Sequence, residues 1–203
     1  MHIACLDFEG VLVPEIWVGL AESTGIDDLR ATTREIPKFD DLMKLRLRVM
    51  NEHGLSYQDI RRAAEAIDPL PGAREFLDWL RAEYQVAIVS DTFYELAEPL
   101  IRKLNFPVIL CHRLEVGANG MLTGYRLRQP DPKRSVVRAF KSMCYKVAAT
   151  GDSYNDVPML EEADRGWFFC PPQNVVSDYP AIPVARSYEE LKAGFTQAKL
   201  ALG

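Results

Sequence analysis

Three short apolar runs along the chain end alike. HIACLDFEG from residue 2, QVAIVSDT from residue 85 and KVAATGDS from residue 146 each pass from consecutive hydrophobic residues into polar or acidic ones. Continuous apolar runs of this length mark strands buried on both faces, as in a parallel sheet covered by helices. The segments between them carry helical spacing. GAREFLDWLRAEY places Phe76, Leu77 and Leu80 on one face, and YELAEPLIRKLN continues in kind, with Pro99 set to bend that helix or mark its first turn. DPKRSVVRAFKSM reads as a helix with Asp131 as N-cap and Pro132 at its first position. SYEELKAGFTQAKLALG reads as a last amphipathic helix with Leu191, Phe195 and Ala198 toward the core. Strands alternating with helices from about residue 70 onward predict an α/β fold built on a doubly wound parallel sheet.

Residues 14–69 break the alternation. PEIWVGLAESTG, DDLMKLRLRVMNEHG and SYQDIRRAAEAI are successive helical patterns with no strand between them, flanked by Pro14 and by DPLPG at 68–72. The expected organisation is a core of residues 1–13 and 70–203 with a small inserted helical cap at 14–69, its flanks able to let a lid move. HRLEVGANGMLTGYRLRQ predicts a β-hairpin over 112–128 that turns at GANG.

Composition narrows the function classes. A chain of 203 residues suffices for one α/β domain with an insertion, and a net charge of -5 supplies no general attraction for nucleic acid or an anionic membrane. Cys5, Cys111, Cys144 and Cys170 are scattered without C-x-x-C spacing, which suits a reducing compartment. The chain enters a strand directly, without a signal-peptide pattern, and no 18-residue apolar stretch occurs, so a cytoplasmic location is expected. His2, His53 and His112 are too dispersed to suggest zinc.

Ligands of open parallel sheets bind outside the carboxyl ends of the strands, where strand order reverses. The three polar strand ends should therefore meet, bringing together Asp7, Glu9, Ser90, Asp91, Asp152, Asn155 and Asp156. So many carboxylates repel one another unless a hard cation neutralises them. An oxygen-only donor set suits Mg2+.

In order, DFEGV, VSDT, a lysine at a helix start and GDSYND resemble the four motifs of the haloacid dehalogenase superfamily, over nearly the whole chain. The resemblance implies the Rossmann-like sheet of that superfamily and Mg2+-dependent phosphoryl transfer through an aspartyl phosphate. Asp7 would be the nucleophile. Asp7, Asp152 and the main-chain carbonyl of Glu9 would hold the metal, with Asp156 supporting the metal shell. Ser90, the Asp91 backbone N–H and Lys133 would cradle the phosphoryl oxygens, and Asn155 would orient phosphate or metal-bound water. Glu9 stands where phosphatases of this superfamily usually carry a second aspartate, the general acid and base. Its extra methylene shifts the carboxyl by about 1.5 Å.

PEIW, SDTFYE and DPKR extend the likeness to the phosphoserine phosphatase branch, and closely to its bacterial group of bifunctional phosphoserine phosphatases and homoserine phosphotransferases. By that resemblance Glu15 would pair with a substrate ammonium and Arg46 would fork onto a carboxylate, as O-phosphoserine requires, with homoserine as a second acceptor beside water. Arg46 also shares its segment with Lys44 and Arg48, the pattern of a solvated helix face, and Trp17 and Met43 read as pocket lining or as core. Two alternatives stay open: a phosphatase for another small phosphomonoester, such as a sugar or nucleotide phosphate, and a non-catalytic phosphate-sensing interaction protein. The FYELAEPLIRKL face and the 112–128 hairpin offer surfaces for a homodimer.

Overall fold

The computed structural model describes residues 1–33, 35–36 and 38–203. Strands β1 (His2–Leu6), β2 (Gln85–Phe93), β3 (Val108–Val116), β4 (Leu122–Arg126), β5 (Lys146–Gly151), β6 (Arg165–Phe169) and β7 (Val184–Ala185) form one sheet in the order β4-β3-β2-β1-β5-β6-β7. Neighbours run parallel except β3 and β4. The sheet is the doubly wound α/β arrangement that the apolar runs predict. From β1 the sheet grows outward through β2 on one side and β5 on the other, so strand order reverses at the centre.

Alternate residues of the central strands face opposite layers. Ala4, Leu6 and Ile88 join one apolar cluster, whereas Ile3, Cys5, Ala87 and Val89 join the other. Helices α4 (Ala73–Glu83), α5 (Tyr94–Lys103) and α9 (Tyr188–Leu202) cover the first face with Phe76, Leu77, Leu80, Leu96, Leu100, Leu191 and Phe195. Helices α6 (Pro132–Ser142), α7 (Val157–Glu162) and α8 (Gln173–Asp178) cover the second. Fully buried side chains such as Phe76 and Phe195 each contribute about 2–3 kcal/mol of transfer free energy. The apolar face of α5 is buried here rather than offered to a partner, because Leu96, Ala97 and Leu100 are all in the core.

Residues 14–69 hold α1 (Ile16–Thr24), a 3-10 turn (Asp27–Arg30), α2 (Phe39–Glu52) and α3 (Tyr57–Ala66), with no strand element among the described residues. Trp17, Leu20, Met43, Met50 and Ile60 extend the apolar cluster of the first sheet face. The chain leaves and re-enters at one point, where Leu70 N–H donates to the Leu12 carbonyl at 2.9 Å. Pro99 lies inside α5, not in its first turn, and has no N–H for the carbonyl of Glu95. The Tyr57 hydroxyl of α3 donates to that carbonyl at 3.1 Å, so the inserted helices satisfy what the proline leaves open.

Strand β3 changes partner along its length. Residues 108–112 pair with β2 and residues 113–116 pair antiparallel with β4. The outer ribbon reaches the inserted helices: Tyr125 Oη donates to Asp40 Oδ1 at 2.5 Å, and Tyr57 N–H donates to the Gly120 carbonyl at 2.9 Å. Asp131 stands at the N-cap position of α6 but does not cap it. Its backbone is left-handed, at φ 45°, and its carboxylate pairs with Arg134 Nε at 3.3 Å. All four cysteines are free, and no described helix is long and apolar enough to cross a membrane.

Candidate active site

The carboxyl ends of β1, β2 and β5 converge as their sequences suggest. Asp7 directly follows β1, Ser90 and Asp91 lie within β2, and Asp152 directly follows β5. Carboxylate oxygens of Asp7, Asp152 and Asp156 all lie within 4.8 Å of one another in buried surroundings. Two glycines make the approach possible. A Cβ at Gly10, where φ is +79°, would stand 2.6 Å from the Asp152 carboxyl carbon, and one at Gly151 would stand 2.2 Å from that of Asp156. Only residues without a side chain let the three acids close up.

Lys133, the second residue of α6, is buried with its ammonium among them. Its Nζ lies 2.5 Å from Asp156 Oδ1, 3.0 Å from Asp7 Oδ2 and 3.9 Å from Asp91 Oδ2. Burial works against this charge, but Asp156, Asp7 and Asp91 outweigh it and hold Lys133 protonated well above the ordinary lysine range. Asp7 moves the other way. Burial and the neighbouring Asp156 push its carboxyl well above the usual carboxylate range, although Lys133 and the Phe8 N–H, 2.7 Å from Oδ1, pull against them. Such a cluster fits a hard divalent cation: its donors are all oxygens, they are close enough to share one ion, and a carboxylate raised by like charges relaxes when that charge is neutralised.

Asp156 is already occupied on both oxygens. Oδ2 accepts the Asp152 and Ser153 N–H groups at 2.9 and 3.1 Å while Oδ1 takes Lys133. Asn155 donates from Nδ2 to Asp91 Oδ2 at 2.7 Å and accepts from the Ser153 hydroxyl. In β2 the pairing register with β3 shifts between Val89 and Phe93. Across that irregularity Thr92 N–H donates to Ser90 Oγ at 3.2 Å, which leaves the serine hydroxyl hydrogen for another acceptor.

A cleft runs from these acids to the inserted helices. Asp7, Glu9, Ser90, Asp91, Asp152 and Asn155 line it from the strand ends, and Glu15, Trp17 and Arg46 line it from the inserted helices. Lys133 and Asp156 are buried against the strand-end residues. Arg46 does not lie on a solvated face. It is 5% exposed, its NH2 group donates to the Ala31 carbonyl at 3.0 Å, and its guanidinium carbon lies 4.6 Å from the Trp17 ring centroid. Burial lowers its pKa to about 10 against the pull of Glu9 and Glu15, and its buried Nε finds no hydrogen-bond acceptor among the described residues. Trp17 borders the cleft, whereas Met43 belongs to the core.

Glu9 Oε2 accepts the Ile16 N–H at 3.1 Å, so this acid reaches the start of α1. Thr32, Thr33, Phe39 and Leu42 also line the cleft, and no sequence motif singles them out. The buried His112 is a further residue that sequence reasoning passed over. Its Nε2 lies 3.4 Å from Asp91 Oδ1, a contact made only by the pairing of β3 beside β2.

Comparison with known proteins agrees with this arrangement. Residues 9–161 match the model of the haloacid dehalogenase-like hydrolases. The chain is 56% identical over 198 residues to the phosphoserine phosphatase ThrH of Pseudomonas aeruginosa, covering 98% of this chain and 97% of that one. It is 54% identical to a phosphoserine phosphatase of Pseudomonas syringae pv. tomato, covering 98% of this chain and 84% of that one. A solved phosphoserine phosphatase, a phospho-aspartyl intermediate analogue, superposes with a TM-score of 0.78 at 22% identity, over 95% of this chain and 97% of that one. From its strand-end acids to its inserted helices, the chain belongs to the haloacid dehalogenase-like hydrolase family.

Proposed function

We propose that this chain is a Mg2+-dependent phosphoserine phosphatase that works through an aspartyl phosphate on Asp7, with homoserine as an acceptor beside water. One observation carries the substrate class. Asp7 and Arg46 line the same cleft, and Arg46 is 5% exposed with its Nε unpartnered among the described residues. A buried donor without an acceptor favours a ligand that brings one. A molecule with phosphate at one end and an amino-acid carboxylate at the other meets both, and Glu15 provides charge for its ammonium. The near full-length similarity to two phosphoserine phosphatases supports the same reading.

Asp7 and Asp152 would hold the cation together with the main-chain carbonyl of Glu9, and Asp156, engaged on both oxygens, would brace them. When bound, the ion neutralises the carboxylate cluster and the phosphoryl oxygens, which removes the repulsion between two anions. Asp7 attacks phosphorus in line with the leaving oxygen, forming an O–P bond as the ester O–P bond breaks. Lys133, the Ser90 hydroxyl and the Asp91 N–H take the charge of the equatorial oxygens. Glu9 gives its proton to the departing serine oxygen, then takes one from the water or alcohol that releases the phosphoryl group. Free thiols at all four cysteines accord with a reducing, cytoplasmic setting.

Release of inorganic phosphate from O-phosphoserine in the presence of Mg2+, lost in Asp7→Asn, is the test. Turnover of sugar or nucleotide phosphates with none of O-phosphoserine overturns the substrate assignment. Supplying homoserine and measuring homoserine phosphate against free phosphate decides the acceptor.

A further inference from the structure

The phosphate-binding segment of β2 is held from the side by a group outside the four motifs. At Ser90, Asp91 and Thr92 the strand departs from its register with β3, so the ladder does not by itself fix these residues. Asp91 is tied through its side chain instead. Oδ2 accepts from Asn155 at 2.7 Å and lies 3.9 Å from Lys133, while Oδ1 faces His112 Nε2 at 3.4 Å.

His112 is built for one orientation. It is 1% exposed, and it stands where β3 passes from β2 to β4. Its Nδ1 accepts the Arg128 backbone N–H at 3.2 Å, which places the proton of a neutral ring on Nε2, toward Asp91. Phe39, the first residue of α2, lies edge-on to the ring at 5.7 Å, and Phe93 packs at 6.2 Å. Beyond Asp91 a second cleft opens, lined by Phe39, His112, Leu127, Lys133 and Asn155. The Asp91 carboxylate has room to swing there if nothing holds Oδ1.

We propose that His112 is a positioning residue for phosphoryl transfer: its Nε2–H holds Asp91, and through it the Ser90–Thr92 irregularity, in the geometry that grips phosphate. The proposal rests on the reading of Ser90 and Asp91 as the phosphoryl cradle. His112 does not line the cleft shared by Asp7, Ser90 and Arg46. It acts through Asp91, and Phe39 on its ring links the inserted helices to the same cradle.

Three variants separate a donor from a spacer. His112→Gln keeps an N–H donor near the Nε2 position. His112→Asn serves Arg128 but falls short of Asp91, and His112→Phe keeps the ring without either nitrogen. Calorimetric binding of inorganic phosphate in the presence of Mg2+, and kcat on p-nitrophenyl phosphate and O-phosphoserine, are measured for each beside its melting temperature. Phosphate affinity and kcat are expected to fall about tenfold or more in His112→Asn and His112→Phe, the size of one lost charge-assisted contact. His112→Gln is expected to recover to within about threefold of wild type even if its melting temperature falls as far. Equal impairment of the Gln and Asn variants, or unchanged phosphate affinity in Asn, overturns the proposal. The phosphate measurement does not involve O-phosphoserine, so an error in the substrate assignment shows separately, as failure of the wild type to turn that ester over.

Discussion

Glu9 Oε2 accepts the backbone N–H of Ile16 at 3.1 Å, so the acid at the end of β1 caps the first inserted helix. The N-cap residue of α1, Glu15, makes no side-chain cap of its own, and Glu9 supplies the acceptor from seven residues upstream. That contact gives a structural reason for glutamate. An aspartate carboxylate would stop about 1.5 Å short. Glu9→Asp is therefore expected to cost about 1 kcal/mol in urea denaturation, the usual worth of an N-cap, and to lower the ratio of homoserine phosphate to free phosphate. An unchanged midpoint refutes the capping role, and an unchanged ratio leaves acceptor choice to the inserted helices.

Asp7 is expected to weaken the fold that it serves. Burial, Asp156 and then Asp152 raise its carboxyl well above the unfolded value, against the pull of Lys133 and Phe8. Without a divalent cation, stability should fall as pH rises from the ordinary carboxylate range through the raised folded value. Asp7→Asn should abolish turnover, melt higher than wild type in EDTA at neutral pH, and gain less from added Mg2+. Melting curves with and without the ion check this, and a variant that melts lower in EDTA contradicts it.

Asp91 behaves in the opposite sense. Burial raises its carboxyl, but Lys133, His112 and Asn155 together outweigh it and bring the pKa to about 2 from 3.8. A depressed carboxylate stabilises the fold fully above the unfolded value and loses that contribution as pH falls through the folded one. Here the amount is about 2 kcal/mol, lost between about pH 4 and 2. Asp91→Asn should flatten the dependence of stability on pH in that window, as followed by tryptophan fluorescence.

Arg46 should separate binding of the amino-acid end from the chemistry. Arg46→Ala is expected to raise KM for O-phosphoserine about tenfold or more, the worth of a charge-assisted bidentate contact, while KM for p-nitrophenyl phosphate changes little. Trp17→Leu, which removes the face on which the guanidinium rests, should produce a smaller change in the same direction. Equal effects on both esters would remove Arg46 from substrate recognition.

Read alone, the sequence determined the sheet, the insertion and the acids at the strand ends, because burial on both faces and termination in polar groups are written into consecutive residues. Asp7, Ser90, Asp91 and Asp152 follow directly from three such runs. Local spacing does not encode what touches those acids from elsewhere in the chain. The closeness of Asp152 to Gly10, the reach of Glu9 to Ile16, the Tyr57 hydroxyl on the carbonyl left open by Pro99, and the place of His112 beside Asp91 all join residues brought together only by folding. Asp131 shows the limit from the other side. Its residue type suits an N-cap, yet a left-handed backbone and a pairing with Arg134 leave α6 without one. Arg46 shows it again: a charged helical segment reads as solvated, and only packing against Trp17 and Ala31 turns its guanidinium into the cleft. Tertiary structure decided these points because each depends on which surfaces the sheet and the inserted helices press together.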